Sequence, residues 1–367
     1  MESVELQLGV TAPAEQDDRA LVERLMAAFR RSHEDLSYDQ ESQWLQIRQL
    51  HEPVAQAIRD AATDVVQDAL HHPNRGHLFY GFEDLGAWTD EAYGDPYHCQ
   101  LYALHCSQLL ERLARALGVL GVPNPEAPER TLASRTSAEL VELVQRALDI
   151  AIAPPEIYPG YRGLLTPLGV MGERVINALY CAYRIRQLTA GIAAPRILEI
   201  GAGLGRVAHY SYLMGMRNYT LVDLPMTNLA HGHFLGRALG PDKVILDGEP
   251  GWKSSPDKIK LMTAERFLAG DGLQTRFDLV VNVDSLTEIG AGLAATYFRH
   301  FARLAPCLLS INHEVNEYRV QDLYRANGGF DRCDRMTYWL REGYVEEIYR
   351  RGARRRRPAL LRRSAVA

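Results

Sequence analysis

The sequence predicts an α/β protein in which a doubly wound parallel sheet follows a helical domain. Residues 1–190 carry apolar side chains at helical spacing, whereas after Pro195 short apolar runs alternate with helical segments. Strand–helix alternation with continuous apolar strands is typical of a parallel sheet covered by helices on both faces. We therefore expect a helical cap domain over 1–190, a sheet domain over 191–350 and a basic tail over 351–367.

The composition is that of a globular protein. The 367 residues are 47% hydrophobic and 24% charged, which is enough apolar material for a large core. No run approaches the ~18 apolar residues of a membrane span, and the acidic N-terminus does not resemble a signal peptide, so we expect a cytoplasmic location. Five cysteines without a CxxC pair predict neither a disulfide framework nor a zinc site.

The charge of the chain is unevenly distributed. Eight arginines and no acidic residue lie in 350–367, so the rest of the chain is more acidic than the net charge of -5 suggests. An acidic body argues against nucleic acid as the main ligand. We expect a small-molecule substrate, no membrane contact, a homodimer, and a tail that is solvated or pairs with the acidic body.

Five helices are predicted in the first half of the chain. The fourth begins with the capping box Thr136-x-x-Glu139, and the fifth begins at Thr166-Pro167, where proline follows a cap residue. The predicted helices lie around 21–29, 54–70, 97–117, 136–148 and 166–190. The loops between them at 73–96 and 153–163 are rich in Gly, Pro and aromatic residues such as Phe79, Tyr80, Phe82, Trp88 and Tyr93. Such loops are either lids or fillers of gaps between helices.

The second half of the chain alternates strands with helices. Two segments compete for the third strand, Lys243–Leu246 and Lys258–Met262. The other predicted strands are 196–200, 219–223, 277–284 and 308–312, the predicted helices are 204–214, 226–239 and 292–304, and 336–349 is a predicted hairpin. This order predicts a parallel sheet that ends in a hairpin.

A glycine loop follows the first of these strands. Glu199-Ile200-Gly201-Ala202-Gly203-Leu204-Gly205 stands where the strand turns into a helix, and glycines there allow a tight turn and a close approach of a ligand to the backbone. Asp223 ends the next strand, 22 residues after the first glycine. An acid at about this offset binds ribose hydroxyls in nucleotide-binding sheets.

The details of this motif favour a cationic adenosine ligand over a dinucleotide. The dinucleotide pattern places its third glycine where this chain has Arg206. The carboxylate of Glu199 would repel a pyrophosphate but suits a ligand with a free amino group. S-adenosylmethionine, which carries an adenosine, an ammonium group and a sulfonium, fits both acids.

These residues resemble the cofactor site of class I S-adenosylmethionine-dependent methyltransferases. Val222–Pro225 is similar to the Asp-Leu-Pro of small-molecule O-methyltransferases, whose aspartate binds the ribose. Ile197–Ala208, Asn282–Glu288 and Ser310–Glu314 resemble most closely the bacterial sugar O-methyltransferase family. The resemblance implies a Rossmann-like sheet, S-adenosylmethionine as cofactor, and methyl transfer to a small polar acceptor such as a sugar or a natural-product intermediate.

The site is expected at the carboxyl ends of the strands, where open α/β sheets bind their ligands. If Lys258–Met262 is the third strand, Glu265 lies near the adenine; Asp247 takes that place if Lys243–Leu246 is the third strand. The residues expected to bind the cofactor are Glu199, Gly201, Ala202, Gly203, Gly205, Asp223, Leu224, Asp284, Ser285 and Glu265.

Methyl transfer to oxygen is accelerated by a base that takes the hydroxyl proton. His313 is the best candidate because histidine titrates near neutrality. Asp284 and Glu288 are alternative bases, and Asp284 could instead help to hold the cofactor. The expected substrate contacts are Tyr158, Tyr161, Arg162 and Glu314.

Three alternatives stay open. Asp284, Glu288, His313 and Glu314 could form a Mg²⁺ site, but no fixed ligand spacing supports one, and we expect no metal. The protein could consume S-adenosylmethionine without methyl transfer, by intramolecular cyclisation or aminocarboxypropyl transfer that releases methylthioadenosine. It could also be a binding protein on a methyltransferase fold, with the arginine tail as the contact.

Overall fold

The computed structural model describes residues 6–14, 16–32, 42, 44–83, 85, 95–122, 124, 126, 135–270 and 276–352. The predicted basic tail from 353 onwards, and the aromatic residues Trp88 and Tyr93, lie outside the described residues. The elements of the first half are β1 (Leu8–Val10), α1 (Arg19–Arg31), α2 (Trp44–Arg59), α3 (Thr63–His71), α4 (Pro96–Ala116), α5 (Ser137–Leu148), β2 (Arg162–Thr166), β3 (Gly169–Met171) and α6 (Glu173–Leu188).

The second half contains the alternating strands and helices. Its elements are β4 (Ile197–Ile200), α7 (Arg206–Leu213), β5 (Tyr219–Asp223), α8 (Pro225–Leu239), β6 (Val244–Ile245), β7 (Ile259–Thr263), α9 (Ala264–Leu268), β8 (Leu279–Val283), α10 (Ala291–Leu304), β9 (Cys307–His313), α11 (Val320–Asn327), β10 (Arg332–Thr337) and β11 (Tyr344–Arg350).

Two of the five helices predicted for the first half differ from the structure, and a small antiparallel sheet of order β1-β2-β3 was not predicted. The second predicted helix is two helices, α2 and α3, separated by a turn in which Ala61 has a φ of 57°. The fifth begins at Glu173 and not at Thr166. Thr166 instead ends β2, and its hydroxyl oxygen accepts the Leu168 N–H at 3.1 Å in the turn to β3. The cap signal is wrong here because threonine stabilises turns by the same kind of bond.

The capping box of α5 is confirmed. Glu139 N–H donates to the Thr136 hydroxyl at 3.2 Å, and Thr136 N–H donates to the Glu139 carboxylate at 2.8 Å. These reciprocal bonds satisfy two of the amide groups that a helix start leaves without partners. The prediction succeeds because every participating group lies within four residues.

The predicted α/β fold is confirmed by an eight-stranded sheet. Its strand order is β10-β11-β9-β8-β4-β5-β7-β6, with β6, β7, β5, β4, β8 and β9 parallel and β11 antiparallel to both of its neighbours. β7 pairs with β5 and is therefore the third strand, whereas β6 adds a short outer edge. The chain reverses its direction of travel through the sheet at β4, which lies between β5 and β8 and marks the switch point of the sheet.

Both faces of this sheet are covered. Side chains of one strand point alternately to opposite faces. Leu198 and Val222 pack in a core with α9, α10 and α11, whereas Ile197 and Leu221 pack in a second core. That second core contains α6, α7 and α8 and continues into the helices of the first half, so the helical half and the sheet share it.

Helix α1 lies directly on α8. Leu21 packs against Gly236 and Leu25 against Gly232, and the absence of side chains at these glycines lets the two helices approach closely. A Cβ atom on Gly232 would lie 2.5 Å from a Leu25 methyl group and 3.0 Å from a Leu261 methyl group. Among the described residues, no helix combines the length and apolarity needed to cross a membrane.

We expect Gly232→Ala to lower the free energy of unfolding by about 1–3 kcal/mol, because the added methyl group overpacks the α1–α8 contact. Gly292→Ala is the matched control, since Gly292 lies in α10 and an added Cβ atom has nothing within 4 Å. It should be neutral or stabilising by about 0.5–1 kcal/mol, because alanine favours a helix over glycine. Urea unfolding measures both, and equal effects of the two substitutions would contradict the assigned packing.

Candidate cofactor-binding cleft

The glycine loop between β4 and α7 is built from left-handed backbone. The φ angles of Gly201, Gly203 and Gly205 are +71°, +55° and +86°. Residues with a side chain rarely adopt this region, and a Cβ atom on Gly201 would also overlap the Ser285 hydroxyl. The three glycines are therefore required by the path of the chain, and they leave the turn open to a ligand.

A cavity of about 410 Å³ opens above this loop, at the carboxyl ends of β4, β5 and β8. Its size falls in the range of small-molecule sites. Of the residues expected to bind cofactor, those that line the cavity are Glu199, Gly201, Ala202, Gly203, Asp223, Leu224, Asp284 and Ser285. Gly205 does not line the cavity. It ends the loop on the side of α8, where a Cβ atom would contact Leu235 at 3.1 Å.

Asp223 faces the cavity with one oxygen atom that lacks a partner. Its Oδ1 accepts the Leu224 N–H at 2.8 Å, whereas its buried Oδ2 has no hydrogen-bond partner among the described residues. Burial raises the pKa of the carboxyl to about 7, and the nearby amides of Leu224 and Ala202, the Thr227 hydroxyl and the Gly203 amide offset part of that rise. A ligand hydroxyl group would supply the missing donor and stabilise the ionised form.

Glu199 lies on the other side of the loop and is 1% exposed. Its Oε2 accepts the Tyr219 hydroxyl at 2.9 Å. Burial raises the pKa of Glu199 to about 8; the bond from Tyr219 lowers it in part, and the charge of Asp223 raises it further. Two buried carboxyl groups that repel each other across one cleft favour a ligand that carries positive charge.

Asp284, a candidate base, is already bonded through both oxygens. It lies at the tip of β8 with a φ of 55°. Its Oδ2 accepts from Arg341 at 2.8 Å and its Oδ1 from the Tyr344 hydroxyl at 2.8 Å. His313 Nε2 lies 3.8 Å from Oδ1, and neither His313 nor Glu314 is among the described residues that line the cavity. Glu314 instead pairs with Arg335 at 2.7 Å.

Glu288 connects the site to the helical half. Its Oε2 accepts from the indole N–H of Trp44 at 3.0 Å, and its main-chain carbonyl accepts from the Ser42 hydroxyl at 3.1 Å. The Trp44 ring stacks on Phe82, with 6.5 Å between the ring centres, and Phe82 also lines the cavity. The start of α2 therefore covers part of the cleft.

Many cavity-lining residues were not identified from the sequence, among them six that come from distant segments of the chain. Glu173 pairs with Arg341 at 3.0 Å, and burial raises the pKa of Tyr297, which lies near Asp223. The six are Tyr102, Glu173, Arg174, Asn177, Tyr297 and Arg341. They lie on α4, α6, α10 and the segment between β10 and β11. No local motif marks any of them, since only the fold brings these segments together.

The expected substrate contacts in the second loop lie apart from the main cavity. The Tyr158 hydroxyl is bonded to His233 Nδ1 at 2.8 Å, in the core and not at the cleft. Tyr161 and Arg162 line a smaller side pocket that adjoins the cavity, and the two share the lining residues Glu83, Tyr102, Glu173, Arg174 and Arg206. Tyr158 is therefore a core residue, and its ring lies 6.4 Å from the ring of Tyr161, measured between the ring centres.

The residue expected near the adenine follows the correct strand. Since β7 is the third strand, Glu265 and not Asp247 takes the position after it, in the first turn of α9. Its Oε2 is buried without a hydrogen-bond partner among the described residues, but Glu265 does not line the cavity. Asp247 pairs with Arg266. A role of Glu265 in cofactor binding stays a prediction.

Among the residues that the structure describes, two groups of side chains are close enough together to hold a metal ion. Asp284, Glu288 and His313 present donor atoms within 4.8 Å of one another, but Asp284 already carries the Arg341 guanidinium. The second group, Asp18, His71 and His233, is filled by Arg237, which lies 2.8 Å from Asp18. In both groups a guanidinium supplies the positive charge that a metal ion would bring.

Comparison with known proteins gives only partial similarities. No family model and no curated protein matches the chain. Magnesium protoporphyrin IX methyltransferase from Synechocystis PCC 6803, solved with bound S-adenosylmethionine, is 15% identical over 48% of this chain and 81% of its own, with a TM-score of 0.33. The methyltransferase domain of a bacterial Hen1 is 9% identical over 46% and 96%, with a TM-score of 0.34.

A third solved structure shows the same degree of similarity. Precorrin 8W decarboxylase from Methanobacterium thermoautotrophicum is 15% identical over 47% of this chain and 90% of its own, with a TM-score of 0.31. TM-scores this low carry no argument about activity. The function of this chain therefore follows from the chemistry of its own cleft.

The raised pKa values of the cleft acids predict how Glu199→Gln changes stability with pH. The folded protein binds the Glu199 proton more tightly than the unfolded chain, so ionisation of Glu199 destabilises the fold as the pH rises from about 4.5 to 8. Glu199→Gln removes this penalty. The free energy of unfolding of the variant, relative to the wild type, should therefore increase with pH over this window, by up to about 1.4 kcal/mol per pH unit.

Urea unfolding at several pH values between 4.5 and 8.5 measures this difference. Glu317→Gln is the control, because Glu317 is exposed and its substitution should leave the pH profile unchanged. A constant difference between wild type and Glu199→Gln over the whole window would show that Glu199 ionises as readily in the folded protein as in the unfolded chain.

Proposed function

We propose that this protein is an S-adenosylmethionine-dependent methyltransferase that methylates an oxygen of a small polar acceptor. The observation that carries the proposal is the pair of buried acids, Glu199 and Asp223, which face one cavity across a glycine loop. Asp223 lacks a donor on Oδ2, and both carboxyl groups have raised pKa values. A ligand with vicinal hydroxyl groups and positive charge satisfies both acids at once.

The residues present fit S-adenosylmethionine. Asp223 would accept the ribose hydroxyl groups, and Glu199 would compensate the positive charge of the ligand. The side-chain-free turn at Gly201 and Gly203 would admit the methionine portion, since a Cβ atom there would fill or strain the loop. Tyr297 lines the cavity near Asp223 and offers an aromatic surface to the purine.

A dinucleotide fits less well. A pyrophosphate needs positive charge or free N–H groups at the loop. The guanidinium of Arg206 is committed to Glu83 and lies 4.7 Å from the centre of the Tyr161 ring. Glu199 adds negative charge where the phosphates would lie. The loop therefore suits a cation better than an anion.

The cofactor would supply an electrophilic methyl group on its sulfonium. The residues of the chain would orient the acceptor, limit the access of water to the cleft and accept the proton of the acceptor hydroxyl. The Trp44 and Phe82 rings line the cleft and would shield a bound cofactor from water. We propose Glu288 as the group that takes the hydroxyl proton, because it lines the cavity, whereas His313 does not line it and both oxygens of Asp284 already accept hydrogen bonds. Alignment of the acceptor contributes most of the acceleration.

The acceptor end of the cavity is polar. Tyr102, Glu173, Asn177 and Arg341 line it with hydroxyl, carboxylate, amide and guanidinium groups. Such a surface suits the hydroxyl groups of a sugar or of a natural-product intermediate, and this acceptor class is part of the proposal. A homodimer, a cytoplasmic location and the absence of nucleic-acid and membrane partners stay predictions.

Wild-type protein should bind S-adenosylhomocysteine, the demethylated cofactor, with a Kd in the micromolar range, and Asp223→Ala should weaken binding at least about tenfold because two hydrogen bonds to the ribose are lost. Isothermal titration calorimetry measures both. Asp242→Ala, an exposed acid outside the cleft, is the matched control and should bind like the wild type. No binding to the wild type at high micromolar ligand would end the proposal.

Product analysis separates methyl transfer from other uses of the cofactor. Incubation with S-adenosylmethionine alone should yield no methylthioadenosine, because an ammonium group held by Glu199 has no free electron pair with which to attack the cofactor's own carbon chain. Addition of free and nucleotide-linked hexoses should yield S-adenosylhomocysteine and a product heavier by one methylene unit. Mass spectrometry detects each species, and rapid methylthioadenosine release without an acceptor would favour cyclisation or aminocarboxypropyl transfer instead.

A further inference from the structure

A fully buried histidine lies beneath the glycine loop, outside the set of residues that line the cavity. His231 stands on α8 and is 0% exposed. Its Nε2 lies 2.7 Å from the side-chain oxygen of Asn228, and its Nδ1 lies 3.2 Å from the main-chain carbonyl oxygen of Gly203. The ring therefore spans the distance between helix α8 and the middle of the loop.

Asn228 extends this connection to two neighbouring strands. Its side-chain NH₂ group donates to the carbonyl of Asp223 at 3.3 Å and to the carbonyl of Met262 at 3.0 Å. Because the NH₂ group must face these two carbonyl oxygens, the amide oxygen faces His231. The neutral ring donates its one N–H either to this oxygen at Nε2 or to the Gly203 carbonyl at Nδ1, and its other nitrogen is only in contact with the remaining oxygen. One pair of side chains thus contacts the loop after β4, the tip of β5 and the tip of β7.

Packing places the loop against the same helix. A Cβ atom on Gly205 would lie 3.3 Å from the Cβ atom of His231 and 3.1 Å from a methyl group of Leu235. The loop therefore has no room to settle closer to α8. Its height above the helix is set by contact at Gly205 and by the histidine ring at Gly203.

We propose that His231 and Asn228 are positioning residues, which hold the glycine loop and the tips of β5 and β7 at the separation that lets Asp223 and the loop bind one adenosyl ligand. The identity of that ligand rests on the proposed function. Buried carbonyl groups that lose their donors are free to move, and displacements of well under 1 Å weaken a binding site. The pair acts on the ligand only through the position of the backbone.

The chain offers a matched control two residues further along α8. His233 is also 0% exposed, and its ring is bonded to Asp18 at 2.8 Å and to the Tyr158 hydroxyl at 2.8 Å. It joins α8 to the helical half and makes none of the contacts to the loop. Its substitution removes a buried histidine of the same helix but leaves the contacts of His231 and Asn228 with the loop and the strand ends in place.

Calorimetry with S-adenosylhomocysteine on the full chain tests the proposal. We expect His231→Leu and Asn228→Ala to raise the Kd about tenfold or more, and His233→Gln to change it less than about twofold. His231→Gln keeps a side-chain amide that can donate, so it should recover part of the affinity lost in His231→Leu. Circular dichroism melting shows that each variant is folded before it is titrated.

Hydrogen exchange without ligand supplies an independent measurement. Backbone amides in residues 200–206 should exchange faster in His231→Leu and Asn228→Ala than in the wild type, and at the wild-type rate in His233→Gln. Wild-type affinity and exchange in the first two variants, or an equal loss in His233→Gln, would overturn the positioning role while the proposed function stands. If the wild type does not bind the ligand, the proposed function fails, and the exchange rates alone decide the role of the pair.

Discussion

The turn from β4 to α7 is the constraint on which the cleft depends. Three glycines in left-handed conformation carry the chain through it, and the lack of a side chain at Gly201 lets the Ser285 hydroxyl lie against the backbone. The same turn separates Glu199, on the strand before it, from Asp223, on the neighbouring strand tip. If the turn carried side chains, it would fill the space between these two acids and the cavity would close.

The acids around the cavity fall into two classes. At the glycine loop, Glu199 and Asp223 are buried and form no ion pair within the described part of the chain, and burial raises the pKa of each. At the opposite end, Arg341 compensates both Asp284 and Glu173. The electrostatics of the first end therefore favour a positively charged ligand. At the second end the charges of the protein side chains compensate one another. A ligand there would be recognised by its shape and its hydrogen bonds.

The helical half completes the site as well as the core. Trp44 at the start of α2 bonds to Glu288 and stacks on Phe82, and together they cover the opening above the loop. The same half supplies Glu173 and Asn177 from α6. The core of the helical half is continuous with one face of the sheet. Trp44 and Phe82 are therefore held in a fixed position relative to the strand ends.

The sequence by itself determined the features that depend on neighbouring residues: the parallel strands, the glycine loop, Asp223 and the capping box at Thr136. Each follows from a local conformational preference or a short spacing. Local signals failed at Thr166, whose hydroxyl accepts an N–H in a turn as it would in a helix cap, and at Ala61, where a left-handed residue divides one expected helix. They also gave no sign of α11 or of the small sheet β1-β2-β3.

Only the tertiary structure decided what surrounds each functional side chain. Both oxygens of Asp284 are occupied by groups 57 and 60 residues away along the chain, and the ring of His231 reaches a carbonyl 28 residues before it. A hydrogen bond or ion pair forms when packing brings two groups within about 3 Å, and neither partner's own sequence neighbourhood encodes that distance. The motif was therefore enough to predict the type of ligand. The charge balance of the cleft and the contacts that position its backbone could be determined only from the tertiary structure.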